Sequence, residues 1–210
     1  TKVYLITGLF CLGMAMMIGH VGRRHRVSED TAIGIFFVVS MALGVIFIAL
    51  RRRYTSEVFS YLFGSILAVS PADVRIIALL SAFVVAVVLA FLKEFYFFTF
   101  DEEMAQVTGL PVERLRFGLL ALLALTIVVA VKVVGVILVS AFLIIPGAAA
   151  LALTTHFRRM MALAVAIGVF SSLVGLMLSN TLDIPSGATI VLTQFVIFMA
   201  AQLVRFRRGD

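Results

Sequence analysis

The sequence predicts an all-α integral membrane protein, a polytopic bundle of helices, and three observations carry that prediction. Of the 210 residues, 63% are hydrophobic and 13% charged, against about 45–50% and about 25% in a soluble domain; the mean hydropathy is +1.19. The apolar residues come in long runs, not in the alternating segments of about ten residues that mark an outer-membrane barrel. The basic residues sit in short clusters at the ends of those runs, where spans meet water and anionic lipid. That placement favours membrane lipid over nucleic acid as the partner behind the formal net charge of +6. The expectation is a single transmembrane domain over residues 1–210.

Taken in order, Val3 to Ile18 reads as a first span, short against the roughly 20 residues a bilayer core requires. It ends in the polar cluster from His20 to Arg26. Ser28 then starts a helix, with Glu29 and Asp30 in its first turn, and Thr31 to Leu50 is the second span. After Arg51 to Arg53, the segment Glu57 to Ser70 is apolar but short and is interrupted by Gly64 and Ser65. It reads as a helix lying in or re-entering the membrane. Val74 to Leu92, started by Pro71 and Asp73, is the third full span. Phe117 to Val131 leads out to Lys132, and Val133 to Leu153 returns with Pro146-Gly147 breaking it. Met161 to Leu178 spans again, Asn180 to Thr189 is a polar loop, and Ile190 to Val204 is the last span. The one Cys11 lies in an apolar run and supports no disulfide framework.

Between the third span and the next lies the longest polar stretch with helix punctuation, TFDEEMAQVTGLPVERLR from Thr99 to Arg116. Asp101 can accept from free N–H groups of a first turn as N-cap. Glu102 and Glu103 place negative charge at the positive end of the helix dipole. Gly109 suits the position just past the helix end, and Pro111 prevents continuation. The prediction is a helix from Glu102 to Thr108 followed by a sharp turn. An ordinary solvated loop helix is one reading of it, and a docking surface between two spans is the other.

No enzyme signature is present: there is no phosphate-binding G-x-x-x-x-G-K-[ST] loop, no H-E-x-x-H and no G-x-S-x-G. Any energy from ATP therefore has to come from another chain. His20, His25 and His156 fall at span ends beside arginines, where a wet interface accounts for them better than a metal does. Met14, Met16 and Met17 with Cys11 form a soft-ligand pattern, but unbranched Met also fills bundle cores. Pro146-Gly147 withdraws a backbone hydrogen bond in mid-span, as in transporter helices that line substrate paths, or else marks a kink packed on small residues. Asp183 serves either as a cap before Pro185 or at the outer mouth. Gly64-Ser65 permits close backbone approach and a gate.

These segments together resemble one family. DEEMAQVTGLPVERLR is similar to the cytoplasmic coupling segment of ATP-binding-cassette importers for zinc, manganese or iron. SEDTAIGI (Ser28–Ile35), YLFGSILAVSPAD (Tyr61–Asp73), VVGVILVSAFLIIPGAAA (Val133–Ala150) and DIPSGATIVL (Asp183–Leu192) resemble the permease subunits of that family in the same order. The resemblance implies a fold like that of the vitamin B12 and siderophore importers. It also implies a second permease subunit (a homodimer), a cytoplasmic ATPase dimer that binds ATP, and an extracytoplasmic metal-binding protein. It assigns Asp101, Glu102, Glu103, Ala105, Gly109 and Pro111 to ATPase coupling, with Ala105 and Gly109 at small-residue positions that fit a groove on the ATPase. It leaves Gly64, Ser65, Pro146, Gly147 and Asp183 for permeation and gating. Family members carry two further spans, with a Gly-Asp…Ser-His-Ala stretch, ahead of the first span here. Nothing here matches that stretch, so the expectation is a permease lacking those N-terminal spans, with no metal ligands assigned and no cofactor resident in the chain.

With the coupling segment inside, 11 of the 17 Lys and Arg residues fall on the inner side and the other 6 outside. The positive-inside rule favours that orientation in a bacterial cytoplasmic membrane. The expected function is inward transport of a divalent transition metal ion. A secondary transporter driven by an ion gradient would need ionisable residues at mid-membrane depth, and an intramembrane enzyme would need facing acid, base or metal-binding groups. The sequence offers almost none of the former and none of the latter.

Overall fold

The computed structural model describes Gly13, residues 28–50 and residues 70–208. Apart from Gly13, the expected first span lies outside the described residues, as does the short segment with Gly64 and Ser65. The elements are α1 (Glu29–Leu50), α2 (Pro71–Ala90), α3 (Leu92–Phe100), α4 (Glu102–Val107), α5 (Val112–Val134), α6 (Val136–Leu153), α7 (Phe157–Leu182) and α8 (Ser186–Arg208). Six of them, α1, α2 and α5 to α8, are long and apolar enough to cross a membrane. Helices are the expected answer, since a chain in hydrocarbon must pair its backbone polar groups internally.

The chain divides into two compact units, Thr1–Gly64 with Gly135–Asp210, and Ser65–Val134. In the first, α8 packs on α1, α6 and α7, and α6 also touches α1 and α7. Its core is built on Ile35 and Phe36 of α1, Ile145 of α6, and Val191 and Phe198 of α8, all fully buried. Phe36 meets Phe195 edge-to-face, with centroids 5.7 Å apart and planes at 72°. Small residues set how closely the backbones approach. A Cβ on Gly175 of α7 would lie 2.6 Å from the Cα of Ile190 on α8. The inner side of α6 carries Ala141, Ala148, Ala149 and Ala150, all buried.

Of the boundaries that differ from the sequence expectation, two bear on the permeation positions. The break falls at Gly135, not at Pro146-Gly147, and α6 runs on through Pro146. Proline fixes φ at a helical value and removes one hydrogen bond, which a packed helix tolerates. Gly135 has φ +84°, a conformation open to glycine at no steric cost. The expected loop Asn180–Thr189 contracts to residues 183–185, because α7 runs on to Leu182 and α8 begins at Ser186. Asp183 closes α7 in the left-handed conformation with φ 53°. The turn satisfies itself: the Ile184 N–H donates to the Ser179 carbonyl at 3.3 Å, and the Ser179 hydroxyl donates to the Ile184 carbonyl at 2.6 Å.

In the second unit, α2 packs on α5 and α3, and α5 also touches α3 and α4. Ser70 and Asp73 form a reciprocal capping box at the start of α2, each bonding the other's backbone N–H at 3.2 Å. No residue of α2 is buried, which leaves apolar side chains such as Leu79, Phe83 and Val85 exposed.

Gly175→Ala should lower the melting temperature in detergent, a loss of about 1–3 kcal/mol, because the new methyl meets backbone that cannot yield. Gly44→Ala, where a Cβ meets nothing within 4 Å, should be neutral or stabilising by up to about 1 kcal/mol. Equal melting shifts for the two variants would refute close α7–α8 packing.

Candidate functional site

The polar stretch between α2 and α5 folds as a self-contained turn. Asp101 ends α3, its N–H donating to the Phe97 carbonyl at 3.0 Å. Its carboxylate also starts α4, accepting from the Met104 N–H at 2.9 Å. At the other end the Gly109 N–H donates to the Gln106 carbonyl at 3.0 Å and the Leu110 N–H to the Ala105 carbonyl at 3.1 Å. This pair of bonds is the Schellman closure, which requires a left-handed residue at its centre, and Gly109 has φ +83°. The Thr108 hydroxyl bonds the carbonyls of Met104 and Ala105, both at 3.0 Å. Pro111 then offers its carbonyl to the Leu115 N–H at 3.0 Å, starting α5.

Side chains tie the turn to its flanks. Arg116 of α5 pairs with Glu102 of α4, both partners about half-exposed, and its guanidinium lies 5.9 Å from the Phe98 ring centroid of α3. One cation thus joins three helices, through an ion pair and a cation–π contact. Glu103 is exposed.

The structure separates the two small residues of this turn. Ala105 is 0% exposed, so its smallness lets α4 settle against its own chain. Gly109 is exposed, and a Cβ there would meet nothing within 4 Å; its constraint is the backbone angle and not crowding. The apolar side chains that α4 leaves exposed are Met104 and Val107, 52% and 81% exposed, three positions apart on one helical face. Sequence reasoning passed over both, since apolar residues in a short helix read as inward-facing until the buried side is known.

Of the positions considered for permeation, Pro146 is buried and Gly147 exposed. Both line an open surface groove of about 510 Å³ between α6 and α7, with Phe142, Val165, Gly168 and Ser172. Asp183 is exposed at the α7–α8 turn, where its backbone N–H donates to the Ser179 carbonyl at the end of α7. Among the described residues, no three of His, Cys, Asp and Glu gather where a metal could be held. Two buried residues that sequence reasoning missed are Gln194 and Gln202 on α8. Their signal was available: each is a carboxamide inside an otherwise apolar span.

Comparison with known proteins agrees with this architecture. The family model described as the ABC 3 transport family matches residues 1–205. The chain is 40% identical over 205 residues to the "Manganese transport system membrane protein MntC" of Halalkalibacterium halodurans, covering 98% of this chain and 69% of that one. It is 37% identical over 197 residues to the "Chelated iron transport system membrane protein YfeD" of Yersinia pestis, covering 93% and 65%. The solved structure "PsaBC from Streptococcus pneumoniae in complex with Fab" is similar with a TM-score of 0.66 and 33% identity, over 92% of this chain and 69% of that one.

Gly109→Ala should destabilise the turn by about 1 kcal/mol through its backbone angle alone. Gly109→Asn should cost less, because asparagine adopts that angle more readily. Hydrogen exchange of the Leu110 amide measures both. If Asn proves worse than Ala, bulk and not conformation limits the position.

Proposed function

The chain belongs to the ABC 3 transport family, and from that premise we propose that it is the permease subunit of an ATP-driven importer of a divalent transition metal ion, manganese, iron or zinc. It is a multi-pass membrane protein by the six long apolar helices among its described residues, and the bacterial cytoplasmic membrane is the compartment proposed for it. The proposed assembly has two permease copies, an ATPase dimer on the cytoplasmic side and an extracytoplasmic protein that delivers the metal. ATP is hydrolysed on the partner and the metal ion is cargo.

The observation that carries the coupling role is the turn from Asp101 to Pro111. It is closed at both ends by its own hydrogen bonds, it is joined to α5 by the Glu102–Arg116 pair, and it presents Met104 and Val107 outward. A rigid, capped knob with two exposed apolar side chains suits docking in a groove, where burial of apolar surface supplies affinity. In this reading Met104 and Val107 fill the ATPase groove. Ala105 is the spacer that lets α4 seat on its own chain, and Asp101, Gly109 and Pro111 hold the shape. Glu102 and Glu103 stand at the rim, where an exposed pair contributes only about 0–1 kcal/mol. Motion of the ATPase is passed through α3 and α5, which flank the knob, and the spans alternate between inward-open and outward-open states. Pro146, Gly147, Asp183, Gly64 and Ser65 remain the proposed permeation and gating positions, the last two outside the described residues.

Met104→Asp with Val107→Asp should leave the permease folded in the membrane yet abolish capture of its ATPase in a detergent pull-down, together with ATP-dependent manganese(II) uptake. Glu102→Gln should retain most of both. Full ATPase capture and uptake by the double variant would remove the docking role. In the same cells a cysteine at Gln106 should resist impermeant thiol reagent applied from outside; reaction there would invert the topology.

A further inference from the structure

Two carboxamides lie inside the first unit with nothing to bond. Gln194 is 0% and Gln202 4% exposed, and among the described residues neither the Oε1 nor the Nε2 of either has a hydrogen-bond partner. Hydroxyls on α7 and α8 turn to backbone carbonyls instead: Thr189 donates to the Pro185 carbonyl at 3.0 Å, Thr193 to the Thr189 carbonyl at 2.8 Å, and Ser171 to the Gly168 carbonyl at 2.9 Å. A buried amide without a partner is a standing penalty, and one in a membrane span has no bulk water to relieve it. A leucine or methionine would fill either site without that penalty. The packing seen here is therefore unfavourable for these two side chains, and a state that wets them would relieve it.

The rest of the unit shows how such a state can arise. The two glutamines are eight residues apart, a rise of about 12 Å along α8. Arg205, at the end of the same helix, has a buried Nη1 that likewise lacks a partner. On α6, which packs on α8, Ala148, Ala149, Ala150 and Ala152 are buried, and methyl groups form no deep ridges to lock a neighbour in place. Pro146 takes one hydrogen bond out of α6. Beside Pro146 and Gly147, on the α7 side, the surface opens into a groove lined in part by the exposed Leu143, Val165 and Val169. α6 therefore has an open flank beside its proline and shallow contacts to leave behind on α8. The α7–α8 pair has no such freedom at Gly175 and Ile190.

We infer that Gln194 and Gln202 face the transport path: dry in this state, they line a water-filled passage in the alternate one. There their carboxamides bond water and, through its hydration shell, the passing divalent cation. Uncharged carbonyl oxygens suit that role, since they attract a cation's water shell without holding the ion as a carboxylate would. The inference rests on the importer reading above and adds residues and a moving helix to it.

The test uses the full permease reconstituted with its ATPase in vesicles, with Cys11→Ser as background. Gln194→Cys and Gln202→Cys should each change their rate of modification by a charged methanethiosulfonate several-fold between the nucleotide-free and the ATP–vanadate states. Ala32→Cys, on α1 and equally buried, should stay unreactive in both. Gln194→Met, which folds without the buried amide, should melt higher in detergent and carry manganese(II) several-fold more slowly. Thiols at both positions silent in every state, or undiminished uptake by Gln194→Met, would overturn the inference. Wild-type vesicles without ATP-dependent uptake would instead overturn the importer reading, so the two failures are distinguishable.

Discussion

Wherever hydrocarbon replaces water, a backbone N–H or C=O has to find its partner within the protein, and the architecture follows from that constraint. Helices satisfy it along their length, which leaves their ends as the places where sequence matters most. Ser70 and Asp73 close the start of α2 reciprocally. Asp101 and Gly109 close the two ends of α4. At the α7–α8 turn, the Ser179 hydroxyl and carbonyl both engage Ile184. Hydroxyls within the spans follow the same rule by bonding back to carbonyls one turn earlier, as Ser40, Thr126 and Ser140 do. Against that background Gln194 and Gln202 stand out: among the described residues, four of the six buried side-chain atoms without a partner are theirs, the others being one each on Glu94 and Arg205.

The two units use apolar residues differently. In the first, alanine and glycine bring backbones together, and the larger side chains of α1, α6 and α8 fill the remaining space. Lipid is as apolar as leucine, so association of this kind comes from close packing and not from escape from water. In the second unit, α2 has no buried residue at all. Its exposed Leu79, Phe83 and Val85 would be a liability in water, but they suit lipid or a neighbouring span.

The turn between α3 and α5 is the polar counterpart of these packed spans. Its stiffness comes from local bonds, since its one ion pair is half-exposed and ion pairs in water contribute little. A stiff turn can pass a displacement along, whereas a floppy one would absorb it. Under the proposed docking role, the hydrogen bonds of Asp101, Thr108 and Gly109 matter as directly as the two side chains that point outward.

The sequence by itself determined the class of protein, the family and the turn. Long apolar runs leave helices as the only economical answer, and Asp101, Gly109 and Pro111 act within a few residues of themselves, so their roles are legible locally. What the sequence left open depended on neighbours distant along the chain. Pro146 reads as a break until packing holds its helix together, while Gly135, an unremarked glycine between valines, carries the positive φ that breaks the chain instead. Ser186 to Thr189 read as loop because they are small or polar, yet Gly187, Ala188 and Thr189 are buried and the hydroxyl and N–H of Thr189 both donate to the Pro185 carbonyl just before α8. Ala105 and Val107 look alike in a short helix. Only the tertiary structure decided which is covered, because burial is a property of what packs against a residue and is not written in the residue itself.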